Sequence, residues 1–324
     1  MENKSAITII MPAYNAEKYV HKAISSIIDQ SFTDWELLIG DDCSTDNTLN
    51  ILQKFSNSDQ RIKVFQHHEN LGYLLNSNIL WANAKGKYIT FLDADDWSDR
   101  NRLDIQHSFL ENNKNIHICD INYYRVDENN TIISKVILDQ NIPLSQQIHS
   151  FLFENGPFPI FSNGLFFRKE VSDKIGYYHE FYSRKCGEDW DWSLRVYQHF
   201  KIARLPDLLY YYRENSEGVT QKLTIDKLIN KSLIAKIYQV LDIENKNLFE
   251  PQLKDELYQL EANLKTPYLN DNSLLPFEQA CNNIYHKHFK LALKNILIAI
   301  SHRPLNFKYY RYLKFILTRI LFKH

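Results

Sequence analysis

The chain is 324 residues long, 44% hydrophobic and 24% charged, which is enough apolar material for one large or two modest domains and excludes a disordered chain. Its 39 acids and 38 Lys or Arg leave a net charge of −1, which excludes a globally basic nucleic-acid binder. Only 8 glycines accompany 20 Tyr and 19 Phe, so glycine-rich phosphate loops are nearly excluded as well.

Ile7-Thr8-Ile9-Ile10-Met11 is a β-branched apolar run that reads as a buried parallel strand stopped by Pro12. Residues 16–30 carry apolar side chains at helical spacing, and 35–40 read as a second strand ending in Asp41-Asp42. Ser44-Thr45-Asp46 offers short polar side chains to cap a helix over 47–55. A third strand at 63–65, a third helix over 74–84 and a fourth strand at 88–92 follow. This alternation predicts an α/β fold with a Rossmann-like, mostly parallel central sheet flanked by helices. Beyond Asp96 the pattern loosens. Helices are expected over 100–113, 145–154 and 187–200, and extended chain over 116–126, 131–137, 157–168 and 202–212. From Thr224 onward only helices are expected, forming a C-terminal all-helical extension.

Charge is unevenly spread. The last acid is Glu278, and residues 279–324 hold nine Lys or Arg; the other 29 bases and all 39 acids give residues 1–278 a net charge of −10. Cys43, Cys119, Cys186 and Cys281 stand singly, without CxxC or short His/Cys spacing, which fits reduced thiols rather than a disulfide framework or structural zinc. Met1-Glu2-Asn3-Lys4-Ser5 leads into the first strand with no signal-peptide core, and no apolar stretch approaches the roughly 20 residues of a spanning helix. A cytoplasmic chain that does not cross a membrane is expected.

Ligands of open α/β sheets gather beyond the carboxyl ends of the strands. Pro12-Ala13-Tyr14-Asn15, Asp41-Asp42 and Asp93-Ala94-Asp95-Asp96 all fall there. Asp93 and Asp95, where the chain turns, can aim oxygens at one point, as a hard cation such as Mn²⁺ or Mg²⁺ requires. An acidic turn is ordinary at one strand end, but several acidic clusters together repel without a cation. Gly187-Glu188-Asp189-Trp190-Asp191-Trp192 opens a helix. Its acids suit the helix dipole and its tryptophans suit a core. The same patch offers a general base, because a carboxylate desolvated by aromatics holds its proton more tightly.

Taken in order, Ile9–Glu17, Ile39–Asp46, Asn70-Leu71-Gly72, Gly86–Trp97 and Gly187-Glu188-Asp189 resemble the motifs of family 2 glycosyltransferases. The resemblance spans about 5–220. It implies an inverting enzyme of GT-A fold that transfers a sugar from a nucleotide-diphosphate donor, most simply a UDP-sugar, to a saccharide or lipid-linked acceptor. It implies a catalytic domain over 1–220 and a helical region over 221–324. Tyr14 resembles the residue that stacks on uracil, with Pro12 and Ala13 shaping the pocket, and Asp42 the one that accepts from the base. Glu17 and Ala94 fall in the same donor-binding loops. Asp95 resembles the principal metal ligand, with Asp93 beside it or nearer the ribose. Asp189 resembles the general base with Glu188 in support, and 162–166 the acceptor-side strand. Three departures stand out. Asn76-Ser77-Asn78 replaces an Ala-Arg-Asn triplet, so a cation for the diphosphate must come from elsewhere, Arg213 being one candidate. The segment from Tyr210 to Ser216 lacks the histidine of a Tyr-Arg-x-His-x-x-Ser pattern. Cys43 beside Asp42 reads as a small apolar residue.

The basic tail, with apolar residues among Lys and Arg over 285–300 and again over 309–323, suits the anionic inner face of a cell membrane, although a hairpin packed on the acidic body is the simpler alternative. His286 and His288 lack a third ligand for a metal. Two other functions compete: another metal-dependent nucleotidyl enzyme, against which the missing glycine-rich loop speaks, and an inactive nucleotide-sugar-binding or membrane scaffold, against which the intact Glu188-Asp189 speaks.

Overall fold

A computed structural model describes residues 5–154, 156–215, 223–285 and 287–322. Ser216, His286 and Lys323, which enter the sequence reading, lie outside the described residues. The chain divides into two compact units, 1–218 and 219–324.

In the first unit β1 (Ile7–Ala13), β2 (Trp35–Asp41), β3 (Ile62–Gln66) and β4 (Tyr88–Phe91) alternate with α1 (Val20–Ile28), α2 (Thr48–Ser58) and α3 (Tyr73–Ala82). The four strands lie parallel in the order β3-β2-β1-β4. Every residue of β1 and β2 is buried, which is why their sequences are apolar on both faces. Pro12 does not stop β1. The carbonyl of Ile10 accepts from Leu92 toward β4, so strand alternation turns the missing donor of Pro12 to the same side, beyond Phe91 where β4 has ended.

The rest of the unit comprises β5 (Trp97–Ser98), α4 (Arg102–Asn112), β6 (Ile118–Val126), β7 (Ile132–Val136), α5 (Leu144–Phe153), β8 (Phe166–Arg168), α6 (Lys169–Ile175), α7 (Glu188–His199) and β9 (Ile202–Arg213). The sheet continues from β4 as β8-β6-β9-β5, with β7 also on β6. Here only β6 and β9 run parallel; the other pairs are antiparallel. The parallel half is thus the half whose sequence alternates strand and helix. Residues 157–168 are not one extended run. Ser162–Gly164 is a 3₁₀ turn, packed so closely that a Cβ on Gly164 would meet Phe161 Cδ1 at 2.5 Å and Asp120 Oδ1 at 2.9 Å. The helix α6, only 7 residues long, is too short to show a helical period in the sequence. The core joins Ile9 and Met11 of β1, Leu37 and Ile39 of β2, Ile24 of α1, Leu103 of α4 and Phe166 of β8. Each such side chain stabilises the fold by about 1.5–3 kcal/mol.

The second unit holds α8 (Ile225–Glu244), α9 (Lys254–Asn270), α10 (Leu274–Tyr285), α11 (Phe289–His302) and α12 (Phe307–Phe322). Thr224 caps α8 by accepting from the Lys227 amide. Phe277 and Ala280 of α10, Ala292 and Ile296 of α11, and Tyr309 and Ile316 of α12 form one core. Pro304 falls between α11 and α12, where it interrupts the helical pattern.

Candidate active site

The loop after β1 is fastened to the start of α2. Asn15, in the left-handed region at φ 48°, donates its amide to Ser44 Oγ at 3.0 Å and accepts from the Thr45 amide at 2.8 Å. Ala16 N–H donates to Thr48 Oγ1 at 2.7 Å and Glu17 N–H to Asp46 Oδ2 at 3.1 Å. The Glu17 carboxylate in turn accepts from the Asn47 amide at 2.8 Å, where the helix dipole favours an anion. Asp46 also accepts from Thr48 N–H at 2.9 Å, so of the three predicted cap residues Asp46 binds the helix start, which lies at Thr48. Pro12 and Ala13 are buried at the end of β1, and Tyr14 stands 50% exposed on this braced loop.

Asp42 is buried, and both of its oxygens accept backbone amides: Leu71 at 2.7 Å and Gly72 at 2.8 Å. Asn70 Nδ2 closes the same loop on the Asp42 carbonyl at 3.1 Å. Each carboxylate oxygen keeps a further lone pair, but the first task of Asp42 is to tie loop 70–72 to the end of β2. Asp41 is buried too, and its Oδ1 has no hydrogen-bond partner among the described residues.

Beyond β4 the chain turns so that oxygens of Asp93, Asp95 and Asp96 lie within 4.8 Å of one another, while Ala94 packs into the core. Asp93 accepts from Tyr73 OH at 3.2 Å and from Asn163 Nδ2 at 2.6 Å. Asp96, fully buried, accepts from Tyr210 OH at 2.8 Å and from the Arg213 amide at 2.7 Å, so it braces the turn. Among the described residues the Asp95 carboxylate has only a long side-chain contact, from Asn215 Nδ2 at 3.5 Å, so it has the fewest partners there of the three. Burial and then the Asp95 charge push Asp93 up to about 7; burial raises Asp95 and holds Asp96 well above the carboxylate range. Crowded carboxylates that resist ionising, with oxygen as the sole donor, fit a hard divalent cation.

Arg102 organises this edge. Fully buried, it donates to Phe91 O at 3.2 Å, Thr90 Oγ1 at 2.7 Å and Asn163 O at 2.9 Å, and so clamps the end of β4 to the 162–164 turn. Sequence reading finds Arg102 only as a helical residue and assigns no role to Tyr73 or to the Asn163 amide; their partners lie far away in sequence, and no local pattern marks them. Arg213, the candidate cation for a diphosphate, is 3% exposed. Its three side-chain nitrogens donate to Asp95 O, the carbonyls of Asp127 and Glu128, and Asn130 Oδ1, so the buried guanidinium is already engaged by the protein.

Glu188 and Asp189 open α7 after Gly187, which is left-handed at φ 99°. Burial and then the Asp189 charge push Glu188 up to about 8, and burial raises Asp189, against hydrogen bonds from the Trp190 amide and Ser162. The two acidic clusters are electrostatic neighbours: the Asp93 charge acts on Glu188, and the Tyr73 hydroxyl senses Asp93, Glu188 and Asp189 together. Asp191 points inward to Arg195 Nε at 3.0 Å and Trp192 is core, whereas Trp190 is half-buried against Phe158. The site therefore sets an acidic edge able to hold a cation beside a carboxylate of raised proton affinity, groups of the kind that metal-assisted transfer to a hydroxyl uses.

Residues 8–175 match the family model Glycosyl transferase family 2. Over 82% of its length the chain is 30% identical to an uncharacterized glycosyltransferase of Haemophilus influenzae, 88% of which is covered. The chain belongs to glycosyl transferase family 2 and is a glycosyltransferase. Among its relatives, the putative teichuronic acid biosynthesis glycosyltransferase TuaG of Bacillus subtilis is 40% identical over 33% of the chain and 42% of its own length. WfgD of Escherichia coli, a UDP-Glc:alpha-D-GlcNAc-diphosphoundecaprenol beta-1,3-glucosyltransferase, is 39% identical over 42% of the chain and 52% of its own length. The chain thus spans about half of these two relatives. The structure of S. aureus TarS 1-349 in complex with UDP-GlcNAc superposes with a TM-score of 0.60 at 21% identity, covering 95% of this chain and 88% of that one, and the shared fold is GT-A.

Proposed function

We propose that the chain transfers a sugar from a UDP-sugar to a hydroxyl of a saccharide or lipid-linked saccharide, with inversion at the anomeric carbon. The observation that carries this reading is the pairing of the Asp93–Asp96 cluster with half-buried Asp189 as electrostatic neighbours. Tyr14 stacks on the base from its braced loop, with Pro12 and Ala13 behind it, and Asp42 holds the loop on the other side. Asp95 and Asp93 hold Mn²⁺ or Mg²⁺, while Asp96 fixes the turn. The cation, when bound, offsets negative charge on the departing diphosphate. Asp189 accepts the proton of the acceptor hydroxyl as that oxygen attacks the face opposite the leaving group, so one displacement inverts the centre. Its raised proton affinity suits this task. Hydrolysis of UDP-sugars, followed as UDP release, tests the reading: it is expected to disappear with EDTA and in Asp95→Ala. Release that survives both rejects it.

The enzyme works, in this reading, on the inner face of the cell membrane. No helix among the described residues is long and apolar enough to cross a bilayer. Instead, α11 and α12 leave Leu291, Ile298, Phe307 (79% exposed), Phe315 and Leu321 (72% exposed) outside their core, interspersed with Lys290, Lys294, Arg311 and Lys314. Cationic amphipathic helices of this kind gain about 1 kcal/mol per basic residue at an anionic surface. Flotation with phosphatidylglycerol vesicles is expected, together with its loss in Phe307→Asp/Leu321→Asp; equal flotation with neutral vesicles argues against the electrostatic part.

A further inference from the structure

We propose that Arg184 binds the diphosphate of the sugar nucleotide, an inference that rests on the donor reading above. Arg184 lies in the short loop before α7. Arg184, Cys186 and Gly187 there all adopt left-handed backbone, at φ 61°, 70° and 99°. For non-glycine residues that conformation is disfavoured and persists only where the surroundings impose it. One nitrogen of Arg184, Nη2, donates to Asn70 O at 2.6 Å and to Asn70 Oδ1 at 3.2 Å. The side chain lies over Gly72, where a Cβ would meet Arg184 Cγ and Cζ at an ordinary contact distance of 3.7 Å. This is the loop that Asp42 ties to β2, and it leads directly into Tyr73, whose hydroxyl reaches Asp93. The guanidinium is therefore anchored on the loop that joins the strand end carrying Asp42 to the tyrosine that contacts Asp93.

The side chain is exposed, and Nε and Nη1 have no partner among the described residues. Arg102, Arg195 and Arg213 differ: every guanidinium nitrogen of each already donates to the protein. A guanidinium anchored through Nη2 keeps its charge and the Nε and Nη1 donors for phosphate oxygens, and the anchor lowers the ordering entropy lost on binding. At an edge crowded with carboxylates, it supplies positive charge from the protein itself to the donor's phosphates.

Affinities of uridine, UMP and UDP, measured by titration in manganese for wild type, Arg184→Gln and Arg184→Lys, test this. Arg184→Gln is expected to weaken UDP about tenfold, the effect of losing a charged hydrogen bond, and to leave uridine within about twofold. Arg184→Lys should fall between. An unchanged UDP affinity, or equal weakening of UDP and uridine, overturns the inference and makes Arg184 a strut of loop 70–72. Wild type that binds neither ligand overturns the donor reading, and this inference with it.

Discussion

Asn163 donates its side-chain amide to Oδ2 of Asp93 at 2.6 Å, across 70 positions of sequence. The bond stabilises the ionised form of a carboxylate that burial otherwise drives toward neutrality. Asn163→Ala is therefore expected to weaken manganese-dependent UDP binding about tenfold, while the melting temperature moves by only a few degrees. Calorimetric titration with and without manganese reads both affinities. If they match wild type, the bond has no part in the site.

Asp189→Asn removes the proton acceptor and keeps the shape. UDP affinity is expected to stay within about twofold of wild type, while transfer falls by about a hundredfold or more, the usual worth of a positioned base. Single-turnover assays at saturating donor separate the two effects. Undiminished transfer assigns the base elsewhere.

Gly40 is required by contact rather than by backbone angle. A Cβ there would lie 1.8 Å from Asn76 Oδ1, and Asn76 already donates to Gly40 O at 2.8 Å and pairs with His67 Nε2 at 3.0 Å. Gly40→Ala is expected to destabilise the fold by about 2–3 kcal/mol. Adding Asn76→Ala relieves the clash, so the double variant should lose less than the two single losses combined. Urea melts of all four proteins measure the coupling.

Asp120, buried in β6, accepts amides from Phe161 at 3.0 Å and Ile121 at 2.8 Å, yet burial pushes its carboxyl up to about 7 from an ordinary 3.8. Below pH 3.8 both states keep the proton. Between 3.8 and about 7 the unfolded chain releases it and the folded chain does not, so stability falls as pH rises through that window, by roughly 4 kcal/mol at most. Asp120→Asn lacks this titration. Its melting temperature relative to wild type is expected to rise between pH 4.5 and 8, and a constant difference would show that Asp120 ionises normally.

The parallel half of the sheet was legible because strands buried on both faces are apolar throughout, and because helices between them keep a 3.6-residue period. The acidic motifs were legible because they fall where such strands end. What was hidden depends on contact rather than pattern. Nothing local to Arg102 tells that it will join β4 to a turn 61 residues on, and nothing in Ser162-Asn163-Gly164 distinguishes a 3₁₀ turn from a strand until its packing against β6 is known. Arg213 looked available because sequence shows a charge but not the carbonyls that occupy it.

The clamp formed by Asp42 bears on any attempt to re-engineer nucleotide choice. A library that varies this position to accept another base would also unfasten the backbone of Leu71 and Gly72, and with it the perch on which Arg184 rests. Lost activity in such a library would report a slackened frame rather than a rejected base. On the proposed reading, in which Tyr14 stacks on the base, donor switching is better sought at its exposed ring, because the bonds from Asn15 to Ser44 and Thr45 do not involve the Tyr14 side chain.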